Sequence, residues 1–252
     1  MPQLELEHGD LEVRFPNPAA GVEQDEEYCE VGEDGEVRRI RFHDYGEIYS
    51  IPGLYERIFY DALKCCSPQA VIGLLAEQLS AGEWLRAFDV GAGNGMVADQ
   101  LAKVGAESIV GVDIIPEAAM ATERDRPGVY DDYHVLDLTD LTDELREELE
   151  ARRFNCLASV AALGFGDMPP EAFATAYNLV DDGAWVAFNI KSRFLAENGP
   201  KGSGFAELIN TMLDDGTLEL RAEREYRHRL STSGEPLHYI AMVARKRANV
   251  SV

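Results

Sequence analysis

The stretch Asp89-Val90-Gly91-Ala92-Gly93-Asn94-Gly95 carries the most specific chemical signal in this sequence. Its glycines let the backbone pass close to a ligand and expose amide groups at the start of a helix. Several nucleotide-binding folds share such a turn, and its spacing separates them. A dinucleotide fold uses G-x-G-x-x-G, whereas here Gly95 comes one residue early and Met96 stands at the position of the last glycine. Two acids extend the pattern: Gly111-Val112-Asp113 and Leu136-Asp137-Leu138 each end a strand-like run. Asp113 is placed where a ribose can be held through its hydroxyls. Ligands of open α/β sheets bind at the carboxyl ends of the strands, so Gly91, Gly93, Asp113 and Asp137 are expected to converge on one crevice. The plainer alternative for each acid is a cap on the helix that follows it; their joint placement weighs against that.

The elements that must position these residues follow a regular rhythm. Apolar, β-branched segments at Leu85–Val90, Ile109–Ile114, Tyr133–Leu138, Asn155–Val160 and Ala184–Ile190 read as strands. Helical spacing separates them at Met96–Val104, Pro116–Arg126, Leu141–Arg152 and Pro170–Leu179. This alternation calls for a parallel sheet covered on both faces. After a helix near Phe205–Leu213, the strand-like runs Leu218–Leu230 and Leu237–Arg245 flank a Ser/Gly/Pro turn and read as a hairpin, so the sheet should end in an antiparallel strand. Between Ile48 and Leu79, helical spacing broken by Pro52-Gly53 and Ser67-Pro68 predicts two or three helices.

Composition narrows the function class. A chain of 252 residues with 46% hydrophobic residues can bury a substantial core. No apolar run approaches the ~18 residues that span a bilayer, and the N-terminus lacks signal-peptide character, so a cytoplasmic protein with no membrane partner is expected. The formal net charge of -23 argues against nucleic acid as a partner, because phosphate binding needs a basic face. Residues 1–40 hold twelve acids against three arginines. Short alternating runs there resemble strands, and the acidic stretch between them reads as a loop or flexible, solvated arm. The cysteines form no C-x-x-C pair, and vicinal Cys65-Cys66 is expected to pack a helix face. No acid/His cluster has metal-ligand spacing, so no metal is expected.

Over roughly residues 45–246 the sequence resembles the class I S-adenosylmethionine-dependent methyltransferases. Phe88–Gly95 is similar to that family's first motif, Gly111-Val112-Asp113-Ile114 to its second and Asp137-Leu138 to its third. Ser159–Glu171 and Tyr226–Tyr239 resemble the small-molecule-type branch that includes the methyltransferase-like protein 27 group. The resemblance implies a Rossmann-like α/β fold: a seven-stranded, mostly parallel sheet with an antiparallel C-terminal strand. The expected organisation is an acidic extension (1–42), a helical cap (43–82) and the cofactor-binding domain (83–252). S-adenosylmethionine would be the cofactor, with Asp89 and the turn Gly91, Ala92 and Gly93 against its methionine part. Asp113 would hold the ribose, Ile114 would pack on the adenine, and Asp137 would accept from the adenine amino group beside the Leu138 amide. Ser159 and Val160 would line the reactive end. No Asn/Asp-Pro-Pro-Tyr/Phe motif follows the fourth strand, which disfavours base or glutamine N-methylation. A small-molecule acceptor, methylated at O or N, is the expectation.

Methyl transfer mainly requires that a nucleophile be placed against an activated carbon away from water. A hydroxyl acceptor also needs a base. Asp167, in the Gly-flanked loop after the fourth strand, is the candidate, its alternative being an N-cap for the helix at Pro169-Pro170. His43, Tyr45, Tyr49, Tyr60 and Phe165 are candidate lid or substrate residues, with Tyr49 also on the cofactor. Tyr45 and Tyr49, at i and i+4, would share a helix face. His134 reads as a packed strand residue, and His228 and His238 as exposed hairpin residues. Two rivals stand beside this reading: a nicotinamide-dependent reductase, and a non-catalytic cofactor-binding or interaction protein.

Overall fold

The computed structural model of the chain describes residues 5–8, 11–16, 22–33, 36–164, 166–191 and 204–251. These fall into two compact units, one of residues 1–66 with 227–238 and the other of residues 67–226 with 239–252.

The first unit is built on an antiparallel sheet in the order β1 (Glu5–His8), β2 (Leu11–Arg14), β3 (Tyr28–Glu33), β4 (Glu36–Arg41). Helices α1 (Tyr45–Ser50) and α2 (Leu54–Glu56) and a π-helical turn (Arg57–Ala62) follow. Val13, Cys29, Val31 and Ile40 pack with Phe42, Ile48, Leu54, Ile58 and Phe59 in one apolar cluster. Within the acidic stretch, Tyr28–Glu33 is therefore a packed strand rather than part of a solvated arm. Strand β3 alternates: Cys29 and Val31 point into the cluster while Glu30 between them is exposed. A one-sided sheet needs only this alternation, whatever the net charge of its outer face. Glu27 and Arg229 form a buried ion pair in the same unit at 2.5 Å, and Glu27 also accepts the Thr232 amide at 2.5 Å.

The second unit carries the strand–helix alternation. In chain order it contains α3 (Ser67–Ala76), β5 (Leu85–Val90), α4 (Met96–Lys103), β6 (Ala106–Asp113), α5 (Pro116–Asp125), β7 (Asp132–Val135) and α6 (Asp143–Ala151). It continues through β8 (Cys156–Ser159), α7 (Pro170–Leu179), β9 (Trp185–Ile190) and α8 (Phe205–Asp214). The long strands β10 (Leu218–Leu230) and β11 (Pro236–Lys246) complete a seven-stranded sheet in the order β10-β11-β9-β8-β5-β6-β7. The pairs β5–β6, β5–β8, β6–β7 and β8–β9 are parallel, and β11 runs antiparallel to β9. This is the Rossmann-like methyltransferase architecture expected from the sequence.

Period-two alternation divides the strand side chains between two cores. Phe88, Val90, Leu157, Val186 and Phe188 pack with Phe173 and Tyr177 of α7 and Ile209 and Met212 of α8. Leu85, Ala87, Cys156, Ala158, Trp185 and Ala187 pack with α3 and with Val97, Ala98 and Leu101 of α4. A fully buried Phe or Leu contributes about 1.5–3 kcal/mol, so both sheet faces are committed to the core and only the strand ends are left for a ligand. From β5 the order runs to β6 and β7 on one side and to β8 and β9 on the other, which makes the end of β5 the topological switch point. Strand β7 ends at Val135 rather than at Leu138, because the Asp137 carboxylate accepts from the amide and hydroxyl of Thr139 at 2.8 and 2.7 Å and turns the chain. Among the described residues, no helix is long and apolar enough to cross a membrane.

Candidate functional site

The glycine turn leaves β5 at the switch point and opens α4. Gly91, Gly93 and Gly95 all have left-handed backbones, with φ of 72°, 55° and 86°. A Cβ on Gly91 would lie 2.7 Å from the Ala162 Cβ in the loop after β8, so both conformation and space require glycine there. The turn's amides are not left open. Gly91 and Ala92 donate to the Val112 carbonyl at 2.9 and 3.0 Å, Gly93 to the Asp113 carboxylate at 2.9 Å, and Gly95 to the Ala92 carbonyl at 3.1 Å.

Asp113 is half-buried at the end of β6. Its second oxygen accepts the Ile115 amide at 3.0 Å, so a local helix-start role and a bond to the turn coexist. Burial raises the pKa of its carboxyl, and the amides of Gly93, Ile115 and Ile114 oppose that shift. Asp89, one residue before the end of β5, is fully buried. Tyr130 donates to one of its oxygens at 2.7 Å, and the other has no hydrogen-bond partner among the described residues. Burial first, then the nearby Asp113 charge, push its carboxyl up to about 7 against the Tyr130 hydrogen bond. Asp137 is exposed and held below the usual carboxylate range by the hydroxyl and amide of Thr139. The Ile114 side chain, beside Asp113, is 58% exposed, an apolar surface at the mouth of the strand ends. Leu138 is buried.

Residues 63–233 of the chain match the family described as Methyltransferase domain. The chain belongs to that family. It is an S-adenosylmethionine-dependent methyltransferase. Solved structures share its fold. The N-methyltransferase NodS from Bradyrhizobium japonicum WM9, in complex with S-adenosyl-L-homocysteine, is 14% identical with a TM-score of 0.55, covering 82% of this chain and 98% of that one. A TehB-like methyltransferase from Corynebacterium glutamicum is 18% identical (TM-score 0.51, 81% and 98% covered). A putative RNA methyltransferase, PH1948 from Pyrococcus horikoshii, is 13% identical (TM-score 0.51, 72% and 84% covered). No curated protein matches the chain.

In this methyltransferase the residues at the end of β8 are less open than expected. Ser159 is fully buried with its hydroxyl on the Val90 carbonyl at 3.1 Å, and Val160 is also buried. The chain turns at Ala161, whose φ of 60° is left-handed although it is not glycine, and whose amide donates to buried Asn189 at 2.6 Å. Asn189 in turn donates to Tyr226 at 2.7 Å, and Tyr226 to Ser67 at 2.8 Å. Asp167 is exposed in the turn that follows. Helix α7 is capped by Pro169 without a side-chain bond, so Asp167 is not its N-cap. Phe165 lies outside the described residues.

The lid candidates belong to the first unit. Tyr45 and Tyr49 stack at 6.2 Å on α1, as their spacing predicts, and His43 meets Tyr45 edge-on at 5.9 Å. Tyr55 links Tyr49 at 4.9 Å to Tyr60 at 6.1 Å. Two further expectations are corrected. His228 is buried rather than exposed, with Nδ1 4.0 Å from Cys65 Sγ, and Cys65-Cys66 lies in the link before α3 rather than on a helix.

Sequence reasoning missed Thr122, Arg126, Tyr130 and Tyr133, which reach the glycine turn from α5, β7 and the segment between them. The fold also gathers Asp132 and His134 of β7 with Glu148 of α6, their ligand-type atoms all within 4.8 Å, which linear spacing concealed. Arg152 donates to Asp132 at 2.5 Å, and His134 Nε2 lies 3.4 Å from the same carboxylate, so the cluster is already ion-paired.

Proposed function

We propose that this methyltransferase acts on a small-molecule acceptor at O or N, with its cofactor at the carboxyl ends of β5, β6 and β7. The observation that carries the site is the Asp113 carboxylate bound to the turn at Gly93. A carboxylate has about four acceptor positions. The amides of Gly93, Ile115 and Ile114 do not exhaust them, and the remaining acceptor capacity suits a ribose hydroxyl. Exposed Ile114 offers the adenine an apolar face. Asp137 and the Leu138 amide would meet the adenine edge, and Asp89, Gly91, Ala92 and Gly93 would meet the methionine part. The unpartnered oxygen of Asp89 fits a cationic ligand nearby.

The bound cofactor supplies a methyl group activated by a sulfonium. The protein's part is to hold the acceptor against it and keep water out. Ser159 and Val160 would form the floor near the reactive end, and Asp167 would take the proton of a hydroxyl acceptor. We further propose that 43–60, with His43, Tyr45, Tyr49 and Tyr60, cover the cofactor together with Phe165, and that the protein works in the cytoplasm. The branch resembling the methyltransferase-like protein 27 group is part of this reading. A net charge of -23 and the sequence Ser159-Val160-Ala161-Ala162 after β8 support a small acceptor over a polyphosphate chain. The test is transfer from radiolabelled S-adenosylmethionine into separated cell fractions. Label in the small-molecule fraction is expected; label confined to RNA or protein would overturn the acceptor class.

A further inference from the structure

The glycine turn is held from outside by side chains of one short segment. Thr122 Oγ1 and Tyr133 Oη both donate to the Gly93 carbonyl, at 2.8 and 2.9 Å. Arg126 donates Nη1 to the Asn94 carbonyl at 3.0 Å and Nε to Asp99 of α4 at 2.7 Å. Tyr130 Oη lies 2.7 Å from Asp89 and 3.3 Å from the Ala92 carbonyl. A phenol has one proton to donate, and the shorter contact to a carboxylate takes it. The rings reach these positions because residue 111 is glycine. A Cβ there would stand 2.9 Å from the Tyr130 ring and 3.0 Å from the Tyr133 ring. The two rings meet edge to face at 5.2 Å.

Asp89 and the turn are consecutive in the chain, and Tyr130 touches both. Its hydroxyl is the sole hydrogen-bond donor to Asp89 among the described residues. We propose that Tyr130 is a positioning residue for cofactor binding, which holds Asp89 and the Gly91–Gly95 turn in the arrangement that admits S-adenosylmethionine. The proposal rests on the assignment of this turn to the cofactor. Ionised Asp89 accepts the Tyr130 proton. Protonated Asp89 becomes a donor to the same phenol, whose proton then turns to the Ala92 carbonyl and alters the hold on the turn. The other titratable groups facing Asp89 are Asp113 on β6, Tyr133 on β7 and Cys156 on β8. Burial raises the Tyr133 phenol and pushes the Cys156 thiol up to about 12, so both stay neutral at the pH of interest. Asp113 is the one competitor.

The experiment is calorimetric titration with S-adenosylhomocysteine from pH 6 to pH 9 on the full chain and three variants. Tyr130→Phe keeps the ring against Gly111 and removes only the hydroxyl. It should bind about tenfold more weakly at pH 7, the usual effect of losing a hydrogen bond to a charged group, and recover toward wild type at pH 9. The recovery follows because Asp89 loses the donor that lowers its pKa, so its ionisation moves to higher pH. Asp89→Asn should bind with no step in this range, which separates Asp89 from Asp113. Equal binding by Tyr130→Phe and wild type at pH 7, a deficit of the same size at every pH, or a surviving step in Asp89→Asn would overturn the proposal. Should Tyr130→Phe fail to fold, the Asp89→Asn profile still decides it. Asp113→Ala distinguishes the two levels: if it too binds as wild type, the site assignment itself fails.

Discussion

The amide of Gly93 donates to the carboxylate of Asp113 at 2.9 Å, joining the tip of the glycine turn to the end of the neighbouring strand. Two motifs twenty residues apart thus form one rigid object. The Val112 carbonyl, accepting from Gly91 and Ala92, strengthens the same link. Were the proposed cofactor site built on these linked strand ends, the links would limit the ordering cost of binding.

Gly91→Ala should be poorly tolerated. The new methyl would stand 2.7 Å from the Ala162 Cβ at a φ of 72°; the Met168 methyl at 3.4 Å can move aside, but the Ala162 Cβ is fixed to its backbone. Left-handed strain and overpacking together should cost about 2–4 kcal/mol. Urea unfolding followed by circular dichroism reads this directly; a loss under about 1 kcal/mol would mean that the loop after β8 yields easily.

Asp89 should make the free protein less stable as pH rises. Its folded pKa, raised from 3.8 to about 7, exceeds the unfolded one, so the folded state holds the proton more tightly. The stabilising contribution is complete below about pH 4 and is lost as pH climbs to about 7, a change on the order of a few kcal/mol. Asp89→Asn cannot ionise and should have the higher thermal midpoint at pH 8 while binding cofactor worse. Identical stability of variant and wild type from pH 5 to pH 8 would show that Asp89 is ionised throughout.

Arg229→Ala should be severely destabilising, by about 3–5 kcal/mol, because it leaves the Glu27 carboxylate buried without its cation. The double variant Glu27→Leu/Arg229→Met should regain most of that loss, since no charge is then stranded. Denaturant titration of the three proteins checks both statements; a mild single variant would mean that water reaches Glu27.

The proposed cover predicts that residues 43–60 exchange amide hydrogens more slowly when S-adenosylhomocysteine is present. Permanent packing of the tyrosines predicts equal protection in both states. Hydrogen-exchange mass spectrometry of that peptide separates them.

The central sheet was legible because near-continuous apolar runs such as Leu85–Val90 and Trp185–Ile190, alternating with helical spacing, report strands buried on both faces. The turn was legible because Gly91 and Gly95 need conformations other residues avoid. What stayed hidden depends on contacts distant in sequence. Tyr130 and Tyr133 look like any aromatic pair before a strand, and only the fold brings them over Gly111. The N-terminal sheet was obscured for another reason. Acids crowd the segment around Cys29 and Val31, so charge density masked their alternation. Buried Glu27 resembled its exposed neighbours Asp25 and Glu26, because its partner Arg229 comes some two hundred residues later.

The most direct test of the site is calorimetric titration of the wild-type chain and Asp113→Ala with S-adenosylhomocysteine, with NADH as the control ligand. The account predicts one saturable site in the wild type, binding weaker by about 1–3 kcal/mol in a folded Asp113→Ala, and no heat from NADH. Unchanged affinity in the variant, or saturable binding of NADH in place of S-adenosylhomocysteine, would contradict it.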